Sequence, residues 1–540
     1  MITNFKKFLT VKMAVLLGSS MVLALYIFRT AWLSDDAMIT LRSVIMLFNG
    51  HGPVIEQGVR VQGFTHPLWY WTLALTSFMT REFIYTSIFL GLFFTVAAFF
   101  LASKTFMKAH SIVIFLVLIL TSRSVIDYST SGLENSLTYF LVILLLATFF
   151  DKIKVTKNKE LIITLISCLM VLNRFDYIFL TLPILIATYF THIKDKNIKF
   201  ILKTGILGFL PAILWHSFSI IYYGSVFPNT ANAKLNVNIS TIAKVKQGVH
   251  YFVNTMKYDL GGYIVILLGG CLVVYLLWKN RSPKMLAVTA SLFIYQLYIL
   301  YIGGDFMAGR FYAVIIVMFA WLITTHIDQI ESFEFSSLLI AMSCLVILAT
   351  SISTSWVNIV RNDSGILHIS DSNGVADERG FYAHFGQSLF NREQVVDKLL
   401  QERFLNLQRD FKFKLKAKKP SDGYILKYLS KSTKHIDQNH NDRVIACGGL
   451  GLVLLFSNDK ATVSDPCGLV DPFFARLPYE IPEDGVWRTG HYNRPVPKGY
   501  PKTTKNLTKH QKKILHEAEV ITTGKLFTSE RVKLVLKGLL

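Results

Sequence analysis

Acidic side chains are scarce in this 540-residue chain, which has 35 Asp and Glu against 56 Lys and Arg and a net charge of +21. Such an excess can indicate nucleic-acid binding. Here, however, many lysines lie in short segments between apolar runs, such as "DKIKVTKNK" (151–159) and "HIKDKNIK" (192–199). That distribution matches the positive-inside rule for cytoplasmic loops. The charge therefore argues for a membrane protein and against a nucleic-acid-binding one.

Common nucleotide-binding and catalytic motifs are also missing. The chain has no Walker motif, GxGxxG, HExxH, GxSxG or CxxC pair, and the short "GGLGL" (448–452) lacks the partners of a phosphate loop. A cytoplasmic nucleotide site is therefore not expected.

Cysteine is rare as well, with five in the chain. Cys447 and Cys467 lie in the polar C-terminal region, where a disulfide can form if that region is outside the cytoplasm.

Long apolar runs dominate what is present. The chain is 52% hydrophobic, its mean hydropathy is +0.43, and runs of ~20 apolar residues, the length of a membrane span, recur. The apolar segments lie at about 13–33, 67–80, 83–102, 111–122, 135–150, 160–173, 177–190, 202–223, 260–278, 285–302, 311–326 and 336–355. A cytoplasmic N-terminus and an external C-terminal region require an odd number of spans. We therefore predict a multi-pass α-helical membrane protein with about eleven spans.

The chain changes character near residue 356, where Gly, Asp, Asn and Pro become frequent. We predict a transmembrane domain at 1–355 and an extracytoplasmic domain at 356–540, with an α/β or β-rich fold.

Between two spans, the stretch 236–258 has apolar residues at helical spacing. It predicts an amphipathic helix that lies either on the membrane surface or against protein.

Two aspartates open the first external loop, "SDDAMITLRSVIMLFNGHGPVIEQGVRVQGFTHPLW" (34–69). Asp35 or Asp36 is a candidate general base, because a carboxylate at the membrane surface can take a proton from an acceptor hydroxyl. The second carboxylate can hold Arg42, orient an acceptor or bind a divalent cation. The structural alternative is an N-cap for a helix that begins at Ala37. His51 and His66 follow beside glycines.

Further charged residues lie where apolar segments end on the external side. Each has a structural alternative: a helix cap, an internal ion pair or a solvated loop. Ionisable residues within a membrane domain are nonetheless commonly functional, and an arginine suits a phosphate because its planar donors match phosphate oxygens. The candidates are Glu134 in "STSGLENSL", Arg174 and Asp176 in "LNRFDY", Lys234 in "YYGSVFPNTANAK", and Asp305 and Arg310 in "IGGDFMAGRF".

These motifs, in this order, resemble bacterial GT-C glycosyltransferases related to the mycobacterial terminal arabinofuranosyltransferase. The "DDA", "NGHG" and "GVRVQGFTHPLW" pieces match that family's first loop, with departures at Met38 and His66. In the tail, "GVADERGFY" (374–382) and the stretch from "DPCGLVDPFFARLP" to "WRTGHYNRPVPKGYP" (465–501) also resemble the family. The resemblance implies a GT-C fold, and a catalytic Asp35 or Asp36 at the end of the first helix.

The resemblance further implies transfer of arabinofuranose from a polyprenyl-phosphate donor on the periplasmic side of a bacterial inner membrane. The acceptor would be a cell-envelope glycan or a type IV pilin. The resemblance specifies no cofactor; a divalent cation, if one binds, would lie at Asp35 or Asp36. The expected donor-binding residues are Arg42, Arg174, Lys234, Asp305 and Arg310. The expected cavity and acceptor residues are His51, His66, Glu134, Asp176, Trp487, Arg488 and His491.

Three alternatives stay open. The first is the same fold and donor type with a different pentose or hexose. The second is a transporter of lipid-linked sugars, which predicts mid-membrane ionisable groups and repeated halves, whereas this sequence has acids at helix exits and no repeat. The third is a non-catalytic scaffold in envelope assembly, which gives no reason for Asp35, Asp36 and Arg310 to share one face.

Overall fold

The computed structural model describes most of the chain outside two long stretches. The described residues are 2–329, 374–382, 443–445, 447, 449–457, 459–482, 487–498, 500 and 503–539. The predicted span at 336–355 and the predicted domain boundary at 355/356 lie outside them.

Residues 2–329 are almost entirely helical. Helices are numbered in chain order over the described residues: α1 Ile2–Arg29, α2 Asp35–Phe48, α3 Pro67–Thr80, α4 Ile84–Thr105, α5 Ala109–Leu120, α6 Arg123–Asp127, α7 Asn135–Phe149, α8 Lys159–Asn173, α9 Ile178–Lys194, α10 Ile198–Tyr223, α11 Asn229–Leu235, α12 Thr241–Tyr258, α13 Leu260–Asn280, α14 Pro283–Ile302 and α15 Tyr312–Asp328. A short 3-10 turn, Phe175–Tyr177, precedes α9.

Six described helices are long and apolar enough to cross a membrane, which makes this a membrane protein. They lie at Thr10–Arg29, Ile84–Thr105, Phe175–Lys194, Ile198–Tyr223, Leu260–Asn280 and Pro283–Ile302. Three shorter apolar helices, at Ala109–Leu120, Asn135–Phe149 and Tyr312–Asp328, accompany them. The count of eleven spans stays a prediction, because helices shorter than a bilayer's ~20 residues do not decide it.

The apolar helices pack into one large core. Helix α4 packs on α7, α8 on α10, α9 on α14, and α13 on α15. Helix α15 has almost no exposed residue, so it lies at the centre of the bundle. Small residues allow close approach: a Cβ on Gly269 of α13 would come within 2.2 Å of Phe319 on α15. Close helix packing through such residues is usual in membranes.

Helix α12 begins close to where the apolar spacing predicts a helix. Its buried residues are Gln247, Gly248, Tyr251 and Thr255, and this face packs on α14. Ile242, on the opposite side, is 71% exposed, and Val245 and Val249 are exposed with it. The helix is therefore amphipathic in the unusual sense that its apolar stripe faces away from the protein, as a membrane-surface helix would place it.

The described C-terminal residues form a small mixed α/β arrangement. Strands β1 (Arg443–Ile445) and β2 (Thr462–Ser464) pair in parallel, with Val444 opposite Val463. The remaining helices are α16 Glu378–Tyr382, α17 Leu450–Phe456, α18 Pro472–Arg476, α19 Lys509–Thr522 and α20 Ser529–Leu539. Helix α17 connects the two strands, as the crossover of a parallel pair requires. Cys447 and Cys467 form a disulfide, with Cα atoms 5.2 Å apart.

Candidate active site

The two aspartates of the first loop begin helix α2, and only one of them faces the centre of the molecule. Ser34 is the N-cap, and its hydroxyl accepts from the backbone N–H of Ala37 at 3.2 Å. The Asp35 carboxylate instead reaches helix α17, where it accepts from the N–H groups of Gly451 and Leu452 at 2.9 and 2.8 Å. Asp35 therefore caps a helix of the C-terminal region, because helix N-termini attract carboxylates.

The contact between α2 and α17 depends on glycine. A Cβ on Gly451 would lie 1.8 Å from the backbone carbonyl oxygen of Asp35. Asp35 is 7% exposed, and burial raises its pKa to about 7 against the opposing effect of the two N–H donors. Gly451 thus lets the backbone of α17 approach α2 closely, and the first turn of α17 holds the Asp35 carboxylate.

Arg42 lies on the same interface and away from the centre. It is fully buried, and it donates to the carbonyl oxygens of Ile55 and Ser457 and to Asp459 Oδ1 at 3.2 Å. Asn49 also donates to Asp459. In the structure Arg42 thus fastens α2 to the C-terminal region, and its role in binding the donor stays a prediction.

Asp36 points in a different direction and keeps some exposure. Its side chain is 30% exposed, and its Oδ2 lies 3.5 Å from Nη1 of Arg310. Burial raises the pKa of Asp36, Arg310 and Lys234 oppose that rise, and Asp305 and Glu134 add to it. Asp36, Glu134, Arg174, Asp305 and Arg310 are called the acid–arginine cluster below.

Glu134 is the centre of this cluster. It is fully buried, and both of its oxygens accept from Nη2 of Arg310, at 3.0 and 3.2 Å. Nη1 of Arg174 lies 3.2 Å from Oε1, and Nδ1 of His66 lies 3.3 Å from Oε2. Burial would raise the pKa of Glu134, but Arg310, His66 and Arg174 hold it well below its usual range. A buried carboxylate with several cationic or hydrogen-bonding partners stays ionised.

Arg174 and His66 tie this centre to neighbouring helices. Arg174 Nε donates to Asp176 Oδ1 at 2.7 Å, and its guanidinium lies over the Phe311 ring at 4.1 Å. The Nε2 atom of His66 is 2.9 Å from the hydroxyl of Thr40 on α2. Residues that were predicted from four separate motifs, the first external loop, "STSGLENSL", "LNRFDY" and "IGGDFMAGRF", therefore lie in one cluster.

The loop between α14 and α15 supplies Asp305 and Arg310. Gly304 has a φ of +70°, and a Cβ there would come within 2.4 Å of Tyr251, so the turn requires glycine. Asp305 Oδ2 lies 3.8 Å from Nη1 of Arg310. Arg310 is 7% exposed, and no described residue accepts from its buried Nε. Buried donors are normally hydrogen-bonded, so this N–H is suited to a ligand.

Glu378 is a site residue that the sequence reasoning missed. It lies on α16, whose flank pairs with the α14–α15 loop through Ala376 and Phe306, and it accepts from Nη2 of Arg488 at 3.3 Å. Burial raises the pKa of Glu378 to about 8; Arg488 opposes this rise, and Asp36, Asp35 and Asp305 increase it. The "GVADERGFY" motif was the signal that could have identified it.

Two of the predicted acceptor residues, Arg488 and His491, contact Phe306, and Trp487 contacts Tyr492 instead. The guanidinium of Arg488 lies 4.8 Å from the Phe306 ring centroid, and the His491 ring lies 4.2 Å from it. Trp487 stacks on Tyr492 at 6.4 Å. Burial, then Arg488 and Lys234, lower the pKa of His491 to about 3, so this imidazole is neutral at physiological pH.

Of the remaining predicted residues, Lys234 lies at the acid–arginine cluster, whereas His51 has no contact with it among the described residues. The exposed Lys234 acts electrostatically on Asp36 and on His491, and so lies at the mouth of the cluster. No contact among the described residues joins the His51 ring to the cluster; its backbone N–H bonds Met46. The described residues contain no group of three or more His, Cys, Asp or Glu placed to hold a metal ion.

The described residues thus define a helical membrane protein with a buried charged cluster that opens at Asp36. Its curated relatives include the terminal β-(1→2)-arabinofuranosyltransferase of Corynebacterium glutamicum, 27% identical over 420 residues, which are 70% of this chain and 58% of that protein. The Mycobacterium tuberculosis protein of the same name is 24% identical over 321 residues, 52% of this chain and 50% of that protein. The predicted resemblance to these glycosyltransferases is confirmed.

The chain spans between half and three fifths of the length of these two relatives. No family model matches it. Among solved structures, the Archaeoglobus fulgidus oligosaccharyltransferase in the apo form aligns with a TM-score of 0.44 and 12% identity, over 84% of this chain and 64% of that one.

Proposed function

We propose that this chain is a membrane glycosyltransferase of the GT-C type that moves arabinofuranose from a polyprenyl-phosphate donor to an external acceptor. The observation that carries the proposal is Asp36, a partly exposed carboxylate 3.5 Å from the buried Arg310 in a protein related to arabinofuranosyltransferases. The acceptor is a cell-envelope glycan or a type IV pilin. The site faces the periplasm of a bacterial inner membrane.

Asp36 is the catalytic base in this proposal. As the acceptor hydroxyl oxygen bonds to C1 of the sugar, its proton passes to an Asp36 oxygen. The bond from C1 to the phosphate oxygen breaks, and its electron pair leaves with the lipid phosphate. Phosphate is a good leaving group, so the site needs no strong acid. The raised pKa of Asp36 makes the carboxylate a better proton acceptor.

Lys234 and the free Nε of Arg310 bind the donor phosphate. Arg174 is already paired with Asp176 and Glu134, and Arg310 is held by Glu134. These arginines therefore set the geometry, whereas the exposed Lys234 offers a mobile charge. Lys234→Gln should raise the KM for donor by roughly tenfold, the effect of losing one charged hydrogen bond. Lys246→Gln, an exposed lysine of α12, is the matched control.

The acceptor binds beside Phe306, which Arg488 and His491 contact, and Trp487 is the residue next to Arg488 in the chain. No described residue bonds the buried Nε of Arg488 or Nδ1 of His491. A sugar hydroxyl can engage both atoms, while the ring of Trp487 can pack on a sugar face. Glu378, protonated below about pH 8, adds a donor close to the acids.

The reaction is tested with synthetic polyprenyl-phosphate arabinofuranose and the purified full-length chain. We expect release of lipid phosphate together with arabinosylated acceptor, and slower release from the ribose or hexose analogue. Transfer of a hexose in preference to arabinose would reject the sugar assignment and keep the enzyme class. Movement of intact donor across vesicles without bond cleavage would instead support the transporter alternative.

A further inference from the structure

The last two helices form a hairpin at one end of a membrane span. Helices α19 and α20 belong to residues 503–539, called the C-terminal hairpin here. Arg531 of α20 is 3% exposed and donates to the carbonyl oxygens of Ile221 and Tyr222 at 3.0 and 3.2 Å. Arg60 bridges the same two elements, because it donates to the carbonyl oxygens of Tyr222 and Gly524.

The attachment point is the last turn of α10. This helix is one of the six that can cross a membrane, so its end marks a membrane boundary. Tyr222 and Tyr223 close it, and tyrosine is enriched at the membrane–water interface. A Cβ on the next residue, Gly224, would meet Ile521 at 2.6 Å and Val535 at 3.1 Å. The C-terminal hairpin therefore packs on the turn that ends a candidate membrane span.

The hairpin exposes both apolar side chains and lysines. Phe527 is 79%, Leu536 55% and Val532 39% exposed. Val532 and Leu536 are four residues apart on α20 and share a face. Three exposed lysines adjoin them, and the six residues are called the basic–apolar surface: Lys525, Phe527, Val532, Lys533, Leu536 and Lys537.

The charge of the hairpin is complementary to an anionic partner. Residues 503–539 contain seven lysines and three glutamates. Two of these glutamates have internal partners: Glu530 lies 3.2 Å from His516, and Glu517 lies 3.9 Å from Lys537. Apolar side chains with flanking lysines are typical of helices that lie in a lipid interface.

We propose that the basic–apolar surface binds the anionic phospholipid head groups of the surrounding bilayer. Phe527, Val532 and Leu536 enter the boundary between head groups and acyl chains, and the lysines contact lipid phosphates. This contact holds the C-terminal region against the membrane at a point separate from the Asp35 contact. It is independent of the proposed sugar transfer.

The test uses the full-length chain in nanodiscs, with Cys271 and Cys344 replaced by serine. A fluorophore is attached at Leu536→Cys or, as the control position, at Glu519→Cys on α19. Quenching by spin-labelled phospholipid should be at least about twofold stronger at position 536 when phosphatidylglycerol is present. Equal quenching at the two positions would overturn the proposal.

Charge substitutions separate lipid binding from other contacts. Lys525→Gln, Lys533→Gln and Lys537→Gln together should reduce the quenching to its value in phosphatidylcholine alone. The matched triple at the opposite end of α10, Lys194→Gln, Lys196→Gln and Lys199→Gln, should leave it unchanged. A label at position 536 that is shielded from water but not quenched by lipid would show a protein partner there and reject the proposal.

Discussion

Asp35 and Asp36 are neighbours in the chain and have different surroundings. Successive residues of an α-helix are about 100° apart around its axis, so the two carboxylates point in different directions. Asp35 accepts two backbone N–H groups of α17, whereas Asp36 approaches Arg310. The position of each residue on α2 therefore separates a structural aspartate from the proposed base.

Glu378 should give the protein a measurable pH dependence. Its folded-state pKa of about 8 is above the ordinary value of 4.5. Because the folded state holds the proton more tightly, this group's contribution to stability is complete below about pH 4.5 and is lost as the pH rises towards 8. In thermal unfolding between pH 5 and 8, Glu378→Gln should flatten this decline. A decline that is as steep in the variant would contradict the assignment.

Sequence patterns identified the members of the site better than their roles. Glu134, Arg174 and Arg310 were each predicted from local motifs, and the structure places them together. The role of Asp35 could not be predicted, because its partner Gly451 is 416 residues away in the chain. The contact of Arg42 with the C-terminal region could not be predicted for the same reason: its carboxylate partner, Asp459, is 417 residues away.

At the scale of elements, the contact between α2 and α17 connects the membrane helices to the C-terminal region. Ile39 of α2 packs in one cluster with Leu450, Val453 and Leu454 of α17. Glu56, after α2, accepts from the N–H of Val463 at 2.9 Å. The interface thus combines apolar packing with buried hydrogen bonds, and a shift of α17 would also move the start of α2.

Gly451→Ala should loosen this interface. The added methyl group would meet the Asp35 carbonyl oxygen at 1.8 Å, a separation that no side-chain movement relieves. We expect faster proteolysis of the C-terminal region and a loss of about 1–3 kcal/mol, typical of overpacking. Gly270→Ala is the control, since a Cβ there has nothing within 4 Å. Equal protease resistance in both variants would argue against a tight contact.

The whole molecule is a helical membrane protein, and the sequence predicted the positions of its six long apolar helices. The predicted count of eleven spans stays a prediction. The apolar runs in the sequence predicted the helices α1, α4, α9, α10, α13 and α14, because length and hydropathy alone define a candidate span. The runs at 111–122, 135–150 and 311–326 gave helices of 12 to 17 residues. These pack in the core, and whether they cross the bilayer depends on tilt and neighbours.

The predicted orientation can be checked by cysteine labelling of sealed spheroplasts. Lys157→Cys and Lys196→Cys lie in basic loops that the positive-inside rule places in the cytoplasm, whereas Asn493→Cys lies in the C-terminal region. A membrane-impermeant maleimide should label the exposed position 493 and not the other two. Labelling at position 157 or 196 before permeabilisation would show that the predicted orientation is wrong.

The central claim, that Asp36 is the base, is tested most directly by comparing sugar-transfer rates of Asp36→Asn and Asp35→Asn. Asp36→Asn should lower the rate by about 10²–10⁴, the usual contribution of a general base, with an unchanged unfolding temperature. Asp35→Asn should keep most of the rate and lose about 1–3 kcal/mol of stability, because its amide cannot accept both N–H groups of α17 equally well. A wild-type rate in Asp36→Asn would contradict the account.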